Sequence, residues 1–274
     1  MGSAIGRVLA EGGARVVATL AGRGERTARL AGAAGVECLD GLDAVVTESD
    51  VVLSVAPPER AESIADDIAA AASRTGGSPL VADLNAVSPA TARRIASRLA
   101  AAGLGFVDAS ISGPPPRAGT TRIYVSGSDA HRLLAIPFPG VELIAVGDEI
   151  GAASAVKMCT ASVYKGTVAL LAQALLTARA HGVVGFVVED LSSGIPDVAG
   201  HAPTSLARAA TKSARYVGEM RQIAETQGAA GLTPELFEAM AAVYAALAAT
   251  PLARRDPEDV DADLPLDAVL DSLS

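Results

Sequence analysis

Tryptophan is absent from this chain of 274 residues, and aromatic residues make up only 3% of it. A core without large rings must be packed from Ala, Val and Leu. The 50% hydrophobic content is enough to bury a large core, as one big domain or two smaller ones. Cysteine is nearly as scarce: Cys38 and Cys159 are too few for a disulfide framework and fit a reducing compartment. A basic excess is also missing. Lys and Arg total 22 against 31 Asp and Glu, a formal net charge of -9, which argues against nucleic acid as a partner because that needs a basic footprint. His131, His181 and His201 are scattered, so no metal site is expected. No signal peptide leads the chain, and no apolar run reaches about 18 residues without a charge, so the expectation is a cytoplasmic protein with no membrane partner. Part of the acid excess lies in residues 256–271, which read as a solvated tail.

What is present is alternation. Short β-branched runs at residues 15–20, 51–55, 80–84, 106–109, 122–126 and 143–146 read as strands. Alanine-rich stretches at 26–34, 59–73 and 89–102 read as helices, the last with Pro89 in its first turn. Strand and helix repeated this way imply crossovers and a mostly parallel sheet. After residue 147 the pattern changes. Residues 150–181 read as one long helix ending at Gly182, residues 203–226 and 234–249 as two more, and residues 183–188 as the one candidate strand. The expected division is residues 1–147 and 148–274.

Several motifs lie at the carboxyl ends of the expected strands, where open parallel sheets bind ligands. The opening Met1-Gly2-Ser3-Ala4-Ile5-Gly6 resembles the helix that follows a dinucleotide-binding glycine turn, with Gly2 as its last glycine. The preceding strand and the two earlier glycines are not in the chain, so an ordinary glycine-containing helix is the competing reading. Arg23 and Arg26 follow the next strand, where arginine accommodates a ribose 2′-phosphate. The alternative is two solvated loop arginines. Pro57 and Asn85 each follow a strand, and Asn85 has the side chain to hydrogen-bond a nicotinamide or ribose. Turn and helix-cap duty for Asn85 and Ser88 is the plainer reading. Ser112 and Gly113 offer a hydroxyl and a bare N–H to an anionic substrate, with a polyproline loop (residues 114–116) as competitor. Lys157 sits among Ala153, Thr160, Ala161 and Tyr164 on its helix face. A lysine of tuned pKa there serves as a general acid/base, whereas an untuned one snorkels to solvent. Lys165 fits the snorkelling reading better.

Taken in order, these motifs resemble the β-hydroxyacid dehydrogenase family, which includes 3-hydroxyisobutyrate and 6-phosphogluconate dehydrogenases. The likeness runs from Gly2 through the Arg23 loop, Asp83-x-Asn85-x-x-Ser88-Pro89, Asp108-x-Ser110-x-Ser112-Gly113 and Gly147-x-x-x-Gly151 to Lys157. The second half resembles a branch with a phosphogluconate dehydrogenase-type helical C-terminal domain, through residues 152–158, Lys165-Gly166 and residues 214–220. The resemblance implies an α/β Rossmann-like domain, here without its first strand, followed by an all-α domain that forms a homodimer. It implies an NAD(P) cofactor; with the arginines of the Arg23 loop the expectation is NADP, with NAD as the alternative, held by Gly2, Arg23, Pro57 and Asn85. It implies a small hydroxy or keto acid held by Ser112 and Gly113, with Lys157 as acid/base. Imine reductases share the architecture but usually lack that lysine. Two departures touch the substrate: Ala161 stands where the family commonly has Asn, and Glu219-Met220 replaces a Lys-Asp pair. The rival expectation is a non-catalytic dimeric scaffold whose cofactor cradle is incomplete.

Overall fold

Two compact units, Met1–Met158 and Cys159–Ser274, make up the computed structural model, which describes residues 1–116, 121–257, 259–260 and 264–273. The first unit begins with α1 (Gly2–Glu11), whose Ile5, Val8 and Leu9 form a buried face. It continues through β1 (Val17–Ala18), α2 (Glu25–Ala33), β2 (Glu37–Cys38), α3 (Leu42–Glu48) and β3 (Val51–Ser54). Then come α4 (Ala61–Thr75), β4 (Leu80–Asp83), α5 (Pro89–Ala101), β5 (Phe106–Ser112), β6 (Thr121–Ser126), α6 (Ala130–Leu134) and β7 (Val141–Ala145). Ser88 caps α5 by accepting a hydrogen bond from Thr91 N at 3.0 Å, and Pro89 occupies the first helical position, where its missing N–H costs nothing.

Strands β3 to β7 form a five-stranded sheet in chain order. The β3–β4, β4–β5 and β6–β7 pairs are parallel, and β5–β6 is antiparallel. That step departs from the expected crossovers, because only residues 113–120 join β5 to β6 and a parallel return needs a dozen residues or more. Side chains alternate across the sheet. Val52, Val81 and Phe106 join α3, α4 and α5 in one apolar layer; Leu80, Ala82, Val107, Ala109, Ile123 and Val125 join α1 and α6 in the other. Strands β1 and β2 form a separate two-stranded parallel sheet, so among the described residues β1 and β3 share no ladder.

A single helix, α7 (Ala152–Ala180), runs out of the first unit into the second. The division therefore falls between Met158 and Cys159 and not at the expected 147/148, because the first turns of α7 are hydrogen-bonded into the sheet. The second unit continues with α8 (Val184–Gly194), α9 (Pro196–Gly200), α10 (Ala202–Ala210), α11 (Ser213–Ala229), α12 (Glu235–Ala248) and α13 (Leu266–Ser272). Helices α11 and α12 pack against each other, with Met220, Ile223 and Tyr244 fully buried.

Three expectations for this half are corrected. Residues 184–188 open α8 and are not a strand: Gly182, at φ +70°, follows α7, and Val183 is the N-cap of the next helix. The helix expected over 203–226 breaks at Thr211 and Lys212 into α10 and α11. The acidic end is not simply solvated, since α13 buries Val269 and Leu270, and Asp271 pairs with Arg179. Residues 258 and 261–263 of that tail lie outside the described residues.

Candidate active site

The start of α7 is held by a carboxylate from the sheet. Asp108 of β5 is buried and accepts from Gly151 N at 2.9 Å, Ser154 N at 3.1 Å, Ser154 Oγ at 2.6 Å and Ser126 Oγ at 3.0 Å. Ser126 Oγ in turn accepts from Ala153 N at 3.1 Å, and Ser110 Oγ donates to Ala153 O at 2.7 Å. The first N–H groups of a helix have no partner within it, and its N-terminus favours negative charge. Asp108 supplies both needs from a neighbouring strand. Gly151 enters this cap at φ +104°, and a Cβ there would stand 3.0 Å from Pro89 Cβ, so both conformation and space call for glycine.

With α7 fixed this way, its next turn carries Lys157 to the end of β5. Lys157 Nζ donates to Ile111 O at 2.8 Å, and the side chain is partly buried. Ile111 directly precedes Ser112 and Gly113. Gly113 has φ +107°, a left-handed conformation that only glycine adopts without strain, and it turns the chain away from β5. Thr121 Oγ1 donates to Pro114 O at 2.8 Å across the base of that loop. The structure thus brings Lys157 to Ile111, the residue before Ser112 and Gly113, across 46 residues of sequence. Ala161 is buried, whereas Tyr164 is 70% exposed.

The residues expected at the cofactor lie at other strand ends of the same unit. Asn85 is buried: its Oδ1 accepts from Ala56 N at 2.5 Å and its Nδ2 donates to Ser54 Oγ at 2.9 Å. It therefore braces the turn at Ala56 and Pro57, joining the end of β4 to the end of β3. Pro57 itself is exposed. Gly2 opens α1 beside that turn, and a Cβ there would lie 3.9 Å from Val55 Cβ. Arg23 is exposed in the turn after β1, where its N–H donates to Leu20 O at 2.9 Å. Asp83 Oδ1 accepts from Asn85 N at 3.0 Å, and burial pushes its carboxyl up to about 7.

Sequence reasoning placed Asp83 and Asp108 inside motifs but gave neither a role. An aspartate within an otherwise apolar strand was the available signal. The partner of Lys165 was missed as well. In the second unit Lys165 pairs with Glu219, their side chains being 14% and 4% exposed. Arg215 Nε reaches the same carboxylate at 2.9 Å, and Lys165 Nζ lies 4.4 Å from the centre of the Tyr216 ring. Lys165 is thus not a snorkelling lysine, because Glu219 compensates its burial.

Comparison with known proteins agrees with this layout. Residues 1–136 match the NAD-binding domain of 6-phosphogluconate dehydrogenase, and residues 178–247 match a domain of unknown function. An uncharacterised 28.5 kDa protein of Methanothermus fervidus is 28% identical over 170 residues, which cover 62% of this chain. The chain spans 64% of the length of that relative. A conserved protein of unknown function, reported as structurally similar to 3-hydroxyacid dehydrogenases, is 29% identical with a TM-score of 0.64, covering 90% of this chain and 92% of that one. The 3-hydroxyisobutyrate dehydrogenase of Mycobacterium tuberculosis, solved with L-serine, shares the fold at 24% identity and a TM-score of 0.69, covering 100% of this chain and 95% of that one.

Proposed function

Because the chain belongs to the β-hydroxyacid dehydrogenase family, with a Rossmann-like α/β domain and a mostly helical C-terminal domain, we propose that it is an NADP-dependent oxidoreductase acting on a small hydroxy or keto acid. One observation carries the reading: the 2.8 Å bond that fixes Lys157 Nζ at Ile111 O, beside Ser112 and Gly113. In the proposed reaction the substrate carboxylate takes the Ser112 hydroxyl and the Gly113 N–H. Lys157 Nζ gives a proton to the carbonyl oxygen during reduction, or takes one from the hydroxyl during oxidation. Ile111 O orients the ammonium by accepting one of its three hydrogens.

The residues present fit a dinucleotide. The N-terminus of α1 is next to the turn that Asn85 braces, and first-turn amides bind phosphate well. Arg23 stands exposed after β1, where its guanidinium would pair with a ribose phosphate. When bound, the cofactor supplies the hydride. NADPH is therefore expected to bind at least roughly tenfold tighter than NADH, the worth of one charge-assisted contact. Fluorescence titration with each checks this, and Arg23→Ser should erase the difference. Equal affinities in the unmodified chain would remove the role given to Arg23.

The reading includes a homodimer through the second unit. Phe186 is 77% exposed and Leu170 62%, and α8 has no buried residue. Exposed apolar side chains at this density mark an interface. Sedimentation should give a dimer, and Phe186→Glu with Leu170→Glu should give a monomer; a wild-type monomer at micromolar concentration would end this part. A second reading, a non-catalytic scaffold, draws on β1 and β3 sharing no ladder among the described residues. Absence of any NADPH or NADH binding would decide for it.

A further inference from the structure

Four polar side chains cross the five-stranded sheet in one row. Ser54 of β3 is in register with Asp83 of β4, Asp83 with Asp108 of β5, and Asp108 with Ser126 of β6. All four are buried, and partners in register project to the same face. The donors around the two carboxylates are unequal. Asp108 accepts from Gly151 N, Ser154 N, Ser154 Oγ and Ser126 Oγ at the positive end of α7. Asp83 has one amide, that of Asn85 on Oδ1, and its buried Oδ2 has no hydrogen-bond partner among the described residues.

Two carboxylates side by side and out of water do not ionise over the same pH range, and the one with fewer donors keeps its proton to higher pH. We propose that Asp83 is a positioning residue that holds a proton, so that Asp108 alone carries the negative charge that caps α7 and keeps Lys157 at Ile111 O. Ionisation of Asp83 places a second charge beside Asp108 and loosens the cap. The same event disturbs the other end of the row, because Asp83 Oδ1 holds the Asn85 turn that braces Ala56. Asp83 thereby links the cofactor-side turn and the lysine-bearing helix through one proton.

The surroundings support this assignment. Burial is the largest influence raising the Asp83 carboxyl and the charge of Asp108 adds to it, while the Asn85 backbone amide, and after it the side chains of Ser54 and Asn85, oppose it. Strands β3 and β6 present neutral Ser54 and Ser126 to the row, and α7 presents Ser154. From α5, Arg93 points its guanidinium towards Gly151, where Nη1 stands 3.0 Å from the position of a Cβ. Arg94 and Arg98 of α5 are engaged at the surface with Glu62 and Asp66 of α4.

The consequence for Lys157 rests on the proposed function; the proton on Asp83 does not. The test uses the whole chain without substrate. Carbon-13 NMR follows the Asp83 and Asp108 carboxyls, and hydrogen exchange, corrected for intrinsic rates, follows the Gly151 and Ser154 amides, from about pH 5 to about pH 9. The expected result is an Asp83 carboxyl that titrates near neutrality. Protection of the two amides should fall roughly tenfold or more across that titration, and in Asp83→Asn it should be independent of pH. An Asp83 carboxyl already ionised at the acidic end overturns the proposal, as does the same loss of protection in Asp83→Asn. If that variant does not fold, the wild-type carboxyl titration decides alone. A neutral Asp83 together with a fully active Lys157→Ala would sink the dehydrogenase reading and leave this one standing.

Discussion

Lys157→Ala is expected to lower kcat for NADPH-linked reduction of a keto acid by about 10²–10⁴-fold, the usual worth of a positioned general acid. Affinity for NADPH should stay within about twofold, since Lys157 bonds to Ile111 at the end of β5. Stability should fall by only ~1 kcal/mol, the net worth of the bond to Ile111 O. Lys157→Arg keeps the charge but cannot release a proton near neutral pH, so it should also be slow. These outcomes separate a proton donor from a structural lysine. A structural lysine would be rescued by arginine, and its removal would appear in the melting temperature more than in turnover.

Asp108→Ala is expected to lower the stability of the first unit by about 3 kcal/mol or more. The substitution leaves Gly151 N, Ser154 N and Ser154 Oγ without an acceptor in a buried place, and each such group costs ~1–3 kcal/mol. Asp108→Asn should be nearly as costly, because its NH₂ group must face some of those donors. Urea unfolding followed by a probe in the first unit measures the change. A shift in midpoint without a change in slope places the effect on the native state. A variant within about 0.5 kcal/mol of the unmodified chain would mean that α7 does not depend on this cap. Because the cap positions Lys157, turnover should fall along with stability.

The local rules carried much of the fold into the sequence. Pro89 following Ser88, and short β-branched runs between alanine-rich stretches, were enough to place β3, β4 and α5 nearly to the residue. What stayed hidden was non-local. The turn to an antiparallel β6 depends on how far residues 113–120 can reach. The cap of α7 joins residues 43 to 46 positions apart, and the partner of Lys165 lies on α11. Residues 183–188 misled because β-branched side chains report a strand only where a sheet edge is available to pair with. The site was legible as separate motifs, each with an ordinary alternative. Asn85 shows why such alternatives are needed: it performs the turn duty that competed with its ligand role. Lys157 shows the converse, since nothing local marks a lysine that will meet Ile111 O.

The most direct test of the dehydrogenase reading is isotope transfer. NADPH deuterated at the transferring position of the nicotinamide ring is incubated with the chain and a panel of small keto acids, and the hydroxy acids formed are analysed by mass spectrometry. The account predicts deuterium on the carbinol carbon of at least one product with the unmodified chain, and none above background with Lys157→Ala. Deuterated product at equal rates from both proteins, or none from either although NADPH binds, would contradict it.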